Sequence, residues 1–140
     1  MIYVETSVLL KVLLREEGYE TSAKILEGNP CITSSLTFIE TRRTISRLLS
    51  LRSLNEADSR DLLGTLQILA REWSVMEITK EIQLRAGQGF DIEPVRTLDA
   101  IHLATALECR QIFRDLKIYT LDKRIEDNLK PMGLIGYETS

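Results

Sequence analysis

The chain has 140 residues, of which 44% are hydrophobic and 28% are charged, and this balance indicates a globular protein rather than a disordered one. Apolar runs such as Val8-Leu9-Leu10 are far too short to span a bilayer, and the first residues lack the pattern of a secretion signal. We therefore expect one domain over residues 1–140, located in the cytoplasm. The formal net charge of −3 argues against a protein that coats nucleic acid through bulk electrostatics.

The first half of the chain is predicted to alternate strands with helices. Short apolar runs indicate strands, whereas hydroxyl or amide residues before amphipathic stretches indicate helix starts. Thr6 and Ser7 are predicted to cap the first helix. Ser34 with Ser35, and then Asn55, are predicted to cap the two longer helices. The predicted order is a strand at 2–4, helices at about 6–15 and 19–27, a strand at 31–33, a helix at about 35–51 and a helix that begins at 55.

The second half continues the alternation. Thr79 and Asp122 are predicted to cap helices, and the loop around Pro94 leads into a longer helix. The predicted order is a strand at 73–78, a helix from 79 to Gly87 or Gly89, a helix at about 97–110, a strand at 117–121, a short helix to 129 and an edge strand at 134–137. Such alternation predicts an α/β fold with a mostly parallel sheet of four or five strands and helices on both faces.

Three acidic residues lie where this fold would form a site. Glu5 directly follows the first strand and Asp122 follows the fourth, and sites in open α/β sheets form beyond the carboxyl ends of strands. Asp99 lies in the first turn of its helix and begins an otherwise apolar face. If the two strands are neighbours, these side chains converge, and a shared divalent metal ion would compensate their charges.

Each acidic residue also has a structural interpretation. Asp122 is an ordinary helix cap, and Asp99 is favoured by the dipole at the start of a helix. Glu40 lies three positions before Arg43 and can form an exposed ion pair with it. Only Glu5 has no obvious partner nearby in the sequence. Spacing alone therefore leaves both the metal site and the structural roles open.

Other polar residues carry weaker signals. His102, the only histidine, lies one helical turn after Asp99 and is interpreted as a packing residue. Cys31 and Cys109 are widely separated and form no CxxC pair, so we expect reduced, buried side chains. The residues Arg42, Arg43, Arg47 and Arg52 form a basic cluster. Such a cluster is either a solvent-exposed face or a local binding site for a polyanion.

Four strings resemble, in order and spacing, the PIN domain, especially the VapC-type toxins of prokaryotic toxin and antitoxin pairs. The strings are I-Y-V-E-T-S-V-L, S-S-L-T-F-I-E-T-R-R, T-L-D-A-I-H-L-A-T-A, and I-Y-T-L-D-K-R with a later M-G-L. The resemblance covers essentially the whole chain. It implies a three-layer α/β/α fold, a cytoplasmic homodimer, a small antitoxin protein as partner, and an acidic pocket that binds Mg²⁺ or Mn²⁺ and cleaves RNA.

The resemblance also implies roles for particular residues. The four acids of the family pattern fall on Glu5, Glu40, Asp99 and Asp122, which would be catalytic. Of these, Glu5, Asp99 and Asp122 would hold metal. Thr120 matches a hydroxyl position beside the pocket. Arg42, Arg43 and Lys123 flank the acids and are hypothetical contacts for RNA phosphates.

The first acid departs from the family pattern, which has aspartate in a D-T-S string where this chain has Glu5. One extra methylene moves the carboxylate by roughly 1.5 Å, a large shift for Mg²⁺, which requires near-ideal octahedral geometry. Two hypotheses follow: an active ribonuclease toxin, and a PIN-like binding module with impaired catalysis. A third, a receiver-like signalling domain, needs a phosphoacceptor aspartate after a middle strand, where the chain has Ser34 and Ser35.

Overall fold

A computed structural model describes residues 1–139 of the chain. The central sheet contains the five strands β1 (Ile2–Val4), β2 (Cys31–Ser34), β3 (Ser74–Met76), β4 (Lys117–Tyr119) and β5 (Ile135–Gly136). The α-helices are α1 (Thr6–Leu13), α2 (Tyr19–Glu27), α3 (Ser35–Ser50), α4 (Glu56–Glu72), α5 (Lys80–Ala86), α6 (Thr97–Ile112) and α7 (Lys123–Leu129). A 3₁₀ turn follows at Lys130–Met132. Over residues 1–139, no helix combines the length and the apolar character needed to cross a bilayer.

The strand order is β3-β2-β1-β4-β5, and every neighbouring pair is parallel. The predicted fold class, a three-layer α/β/α fold around a mostly parallel sheet, is therefore confirmed. Strand β1 lies at the centre, between β2 and β4, and Val4 pairs with Tyr119. Consequently the residues just after β1 and β4 lie side by side at one edge of the sheet.

Alternating side chains of the strands build two cores. Tyr3 and Ile118 face one side, where they pack with Leu103 of α6. Ile2 and Val4 face the other, where residues of α1 to α4 cover them. The period of two along each strand thus sends successive side chains to opposite layers. Both cysteines are free and buried, as expected, and burial raises the pKa of Cys31 to about 11.

Most predicted helix caps are present. The side chains of Ser34, Asn55, Thr79 and Asp122 each accept a hydrogen bond from a backbone N–H in the first turn of their helix. The prediction for the first helix was wrong, because its cap is Glu5, whose carboxylate accepts from the N–H of Ser7. That helix also ends at Leu13 rather than near Arg15, where φ is 51°.

The third and fourth strands are shorter than predicted. They end at Met76 and Tyr119, because their pairing partners on β2 and β1 end at Ser34 and Val4. Thr120 and Leu121 were predicted to lie in the fourth strand, but they form the loop that leads to α7. This loop starts at the edge where the predicted acids meet.

Candidate active site

All four predicted acidic residues line one cavity of about 380 Å³. We call it the acidic cavity; it is lined by Glu5, Thr6, Ser7, Leu10, Glu40, Arg96, Thr97, Leu98, Asp99 and Asp122. Four separate segments supply the acids: the residue after β1, the middle of α3, the first turn of α6 and the cap of α7. The fold therefore gathers carboxylates from positions 5 to 122 at the carboxyl edge of the sheet.

Cavity size alone does not identify the site. A larger cavity of about 460 Å³ lies between α1, α2 and α4 and is lined mainly by apolar side chains, among them Leu9, Leu26 and Trp73. Another, of about 340 Å³, lies beside Phe90 and holds one acidic residue, Glu93, in its lining. A concentration of titratable groups is the better indicator of chemistry, and it favours the acidic cavity.

Glu5 is the most fully bonded of the four acids. Its Oε1 accepts hydrogen bonds from Ser7 Oγ and from Thr120 Oγ1 at 2.6 Å, and its Oε2 accepts from the backbone N–H of Ser7 at 3.0 Å. The residue is only 5% exposed. These donors compensate the buried charge, and they are the partners that the sequence did not reveal.

The same hydroxyls join the ends of β1 and β4. Ser7 Oγ accepts from the N–H of Leu121 at 2.9 Å, and Thr120 Oγ1 accepts from the N–H of Asp122 at 3.0 Å. Thr120 therefore donates to Glu5 and accepts from Asp122. Glu5 and the start of α7 are tied together through these two hydroxyl groups.

Glu40 has different partners from those that its spacing suggested. Its Oε1 accepts from Thr6 Oγ1 and from His102 Nε2, both at 2.6 Å, so the interpretation as an exposed pair with Arg43 was wrong. Burial opposes ionisation, but the hydrogen bonds from His102 and Thr6 and the charge of His102 outweigh it and lower the pKa of Glu40. Glu40 is therefore stabilised as a carboxylate at the cavity.

This lowered pKa predicts how stability depends on pH. The folded-state pKa of Glu40 lies below its unfolded value of about 4.3, so its stabilising contribution is present above that pH and is lost as the pH falls through the folded-state pKa. In urea unfolding, we expect the stability lost in Glu40→Gln to be larger at pH 6 than at pH 3. The exposed Glu20→Gln is the control and should show no such change; an equal difference at both pH values for Glu40→Gln would contradict the prediction.

In Asp99 and in Asp122, one carboxylate oxygen accepts a hydrogen bond. Asp99 is 8% exposed, and its Oδ2 accepts from Arg96 Nε at 3.4 Å. Asp122 Oδ1 accepts from the N–H of Arg124 at 2.9 Å. Arg96, whose side chain is 69% exposed, lines the cavity and was not singled out by the sequence analysis. Its position three residues before Asp99, as an i,i+3 pair, was the available signal.

The side chains of the four acids are chemically suitable ligands for a divalent cation. Carboxylate oxygens are the hard donors that Mg²⁺ and Mn²⁺ prefer. Within residues 1–139, however, no group of three or more His, Cys, Asp or Glu side chains already converges on a point that could hold an ion. Both carboxylate oxygens of Glu5 accept hydrogen bonds, from Ser7 and from Thr120.

The predicted phosphate contacts lie outside the lining of the acidic cavity. Arg42 and Arg43 are exposed on α3, in the turn after Glu40. Lys123 is exposed on α7 and its Nζ lies 3.2 Å from Asp127 Oδ1. Their role in holding RNA stays a prediction.

Comparisons with known proteins agree with this fold. The family model described as PIN domain matches residues 2–128. Ribonuclease VapC35 of Mycobacterium tuberculosis is 32% identical over 137 residues, which cover 96% of this chain and 93% of that protein. The structure of FitAcB from Neisseria gonorrhoeae has a TM-score of 0.70 at 19% identity, covering 99% of this chain and 98% of the other. A toxin-antitoxin complex from Klebsiella pneumoniae has a TM-score of 0.65 at 16% identity, covering 100% and 98%. The chain therefore belongs to the PIN-domain family, with VapC proteins as its relatives.

Proposed function

We propose that this protein is a metal-dependent endoribonuclease and the toxin of a type II toxin-antitoxin pair. The observation that carries the proposal is the convergence of Glu5, Glu40, Asp99 and Asp122 on one cavity. Its relative is named a ribonuclease, which supports RNA as the substrate. Phosphodiester hydrolysis needs a neutralised phosphate and an activated water, and acidic sites supply both through a divalent ion.

The chain's own residues have separate tasks in this site. Glu5, Asp99 and Asp122 would hold Mg²⁺ or Mn²⁺, while Glu40 would help to orient the attacking water or a second ion. When bound, such an ion lowers the pKa of a coordinated water and withdraws charge from the scissile phosphate. Thr120 and Ser7 hold the Glu5 carboxylate, and Arg96 places a guanidinium beside Asp99, where a phosphate oxygen can accept from it.

A second candidate, a PIN-like binding module with impaired catalysis, rests on Glu5. Both oxygens of this residue are engaged by Ser7 and Thr120, and an ion has to displace these donors or share the oxygens with them. One measurement distinguishes the two candidate functions: the natural chain cleaves RNA if it is an active enzyme and does not cleave it if it is the binding module.

Metal removal tests the enzymatic proposal. Purified protein is incubated with a mixture of structured and single-stranded RNA in Mg²⁺, in Mn²⁺ and in EDTA. We expect cleavage with a divalent ion, its loss in EDTA, and its return when excess Mg²⁺ or Mn²⁺ is restored, because carboxylates alone cannot neutralise the phosphate. Cleavage that persists in EDTA would contradict metal dependence, and its absence under all conditions would favour the binding module.

Arg42 and Arg43 give a prediction about RNA binding. If both contact phosphates, Arg42→Ala combined with Arg43→Ala should reduce the magnitude of the slope of log K against log salt by about 1.4, since each single-strand contact contributes about 0.7. Binding is measured in EDTA to prevent cleavage. Arg60→Ala with Arg71→Ala, two exposed arginines of α4, is the matched control with the same charge change. An unchanged slope in the Arg42 and Arg43 variant would remove these residues from the interface.

The partner proposals follow from the same family membership. A neighbouring structure is described as a toxin-antitoxin complex, which supports a small antitoxin protein as the partner of this chain. We also propose a cytoplasmic homodimer. We expect to find a small reading frame beside the gene. Its product should co-purify with this protein and inhibit its cleavage of RNA.

A further inference from the structure

A buried chain of hydrogen bonds runs from the core to the acidic cavity. Tyr3 Oη lies 2.8 Å from His102 Nδ1, and His102 Nε2 lies 2.6 Å from Glu40 Oε1. Tyr3 is fully buried and His102 is 2% exposed, whereas Glu40 reaches the cavity. The two ring nitrogens therefore join a core strand, β1, to an acid on α3.

The direction of these bonds follows from their chemistry. An ionised Glu40 only accepts, so His102 Nε2 carries a proton and donates it to Oε1. Nδ1 pairs with a hydroxyl that can donate to a neutral ring or accept from a charged one. In either state of the ring, Nε2 donates to Glu40, and Tyr3 holds the other nitrogen.

We propose that His102 is a positioning residue, which holds the Glu40 carboxylate in its working orientation in the acidic cavity while Tyr3 fixes the imidazole ring. This inference rests on the proposed function of the cavity. Glu40 has three rotatable side-chain bonds, and the bonds from His102 and Thr6 both end on Oε1. They fix the carboxylate and leave Oε2 for the cavity.

This role differs from packing in what the side chain must provide. A packing residue needs the correct volume, whereas a positioning residue needs a donor at the place of Nε2. The side-chain nitrogen of Gln reaches about as far from the backbone as Nε2 does, and that of Asn only about as far as Nδ1. His102→Gln therefore keeps the contact to Glu40, and His102→Asn keeps the contact to Tyr3, so each variant is the control for the other.

The kinetic test compares RNA cleavage by the two variants with that of the natural chain. Loss of a hydrogen-bonding support of this kind costs about 10- to 100-fold in activity. We expect that loss in kcat for His102→Asn, with KM within about threefold, and a kcat within about threefold of the natural chain for His102→Gln. Equal losses in both variants, no loss in either, or a loss confined to His102→Gln would overturn the proposal.

A second readout does not depend on activity. Because His102 is the only histidine, ¹⁵N-labelled histidine gives ring signals from a single imidazole in NMR spectra of the full chain. We expect a slowly exchanging, downfield Nε2–H proton that moves upfield in Glu40→Gln. If no such proton is present, or if Glu40→Gln leaves it unchanged, the proposal fails even if RNA is cleaved. If the natural chain cleaves no RNA, the proposed function fails, and this signal alone decides whether His102 holds Glu40.

Discussion

Replacing Asp99 by Asn is expected to lower kcat for RNA cleavage by about 100- to 1000-fold, because the metal that we propose it holds would supply several kcal/mol of transition-state stabilisation. The amide has nearly the shape of the carboxylate but lacks the charge that a divalent cation requires. Arg96 loses its ionic partner, yet its side chain is 69% exposed and such pairs contribute little to stability. Single-turnover cleavage assays in Mg²⁺ and Mn²⁺ measure the effect, and thermal unfolding checks the fold.

Asp115→Asn is the matched control for that experiment. Asp115 is exposed in the turn before β4 and does not line the acidic cavity, so the substitution changes the net charge equally without touching the site. We expect its kcat to stay within about twofold of the natural value, in line with the small effect of substitutions at exposed positions. Comparable losses in Asp99→Asn and Asp115→Asn would show that the activity responds to overall charge and would remove Asp99 from the site.

Replacing Glu5 by Asp is expected to raise cleavage about tenfold. The shorter side chain withdraws the carboxylate by roughly one bond length, about 1.5 Å, which suits the strict geometry that Mg²⁺ requires. Aspartate is also a better helix cap than glutamate, so it keeps the bond from the N–H of Ser7 while it releases Thr120. The measurement is the initial rate of cleavage at equal protein and metal concentrations.

The variants of Glu5 also separate the two candidate functions. Glu5→Gln keeps the length of the side chain without its charge and should lose cleavage, whereas Glu5→Asp keeps the charge and changes the length. A natural chain that cleaves, and cleaves faster with aspartate, is an active enzyme with a suboptimal ligand. If the natural chain cleaves no RNA and only the Glu5→Asp variant cleaves it, the protein is the binding module with impaired catalysis. A loss of activity in Glu5→Asp would contradict the geometric argument.

Local signals made much of the fold predictable. Ser34, Asn55 and Thr79 were identified as caps because an N-cap acts within its own first turn. The ends of β3 and β4 were not predictable in the same way. Each strand ends where its neighbour ends, as Tyr119 does opposite Val4, and that depends on pairing between distant parts of the chain.

The acids of the cavity were predictable, but their bonding partners were not. Glu5 and Asp122 follow parallel strands, so the topology brings them to one edge once β1 and β4 are neighbours. The bond from Thr120 to Glu5, by contrast, joins residues 115 positions apart, and no local pattern reports it. His102 was assigned to packing because a lone histidine on an apolar helix usually packs. The residue is indeed buried, but its bonds to Tyr3 and Glu40 join residues 99 and 62 positions apart, and no local pattern reports them.

The pairing of β1 with β4 has a consequence for the synthesis of the protein. Strand β1 is synthesised before the other strands of the sheet, but its neighbour β4 begins only at Lys117. A nascent chain that has reached α5 contains Glu5 and Glu40 but none of the partners that β4 and α7 supply. Domains complete their folding only when such distant segments have emerged, so the acidic cavity cannot assemble until α7 has been synthesised.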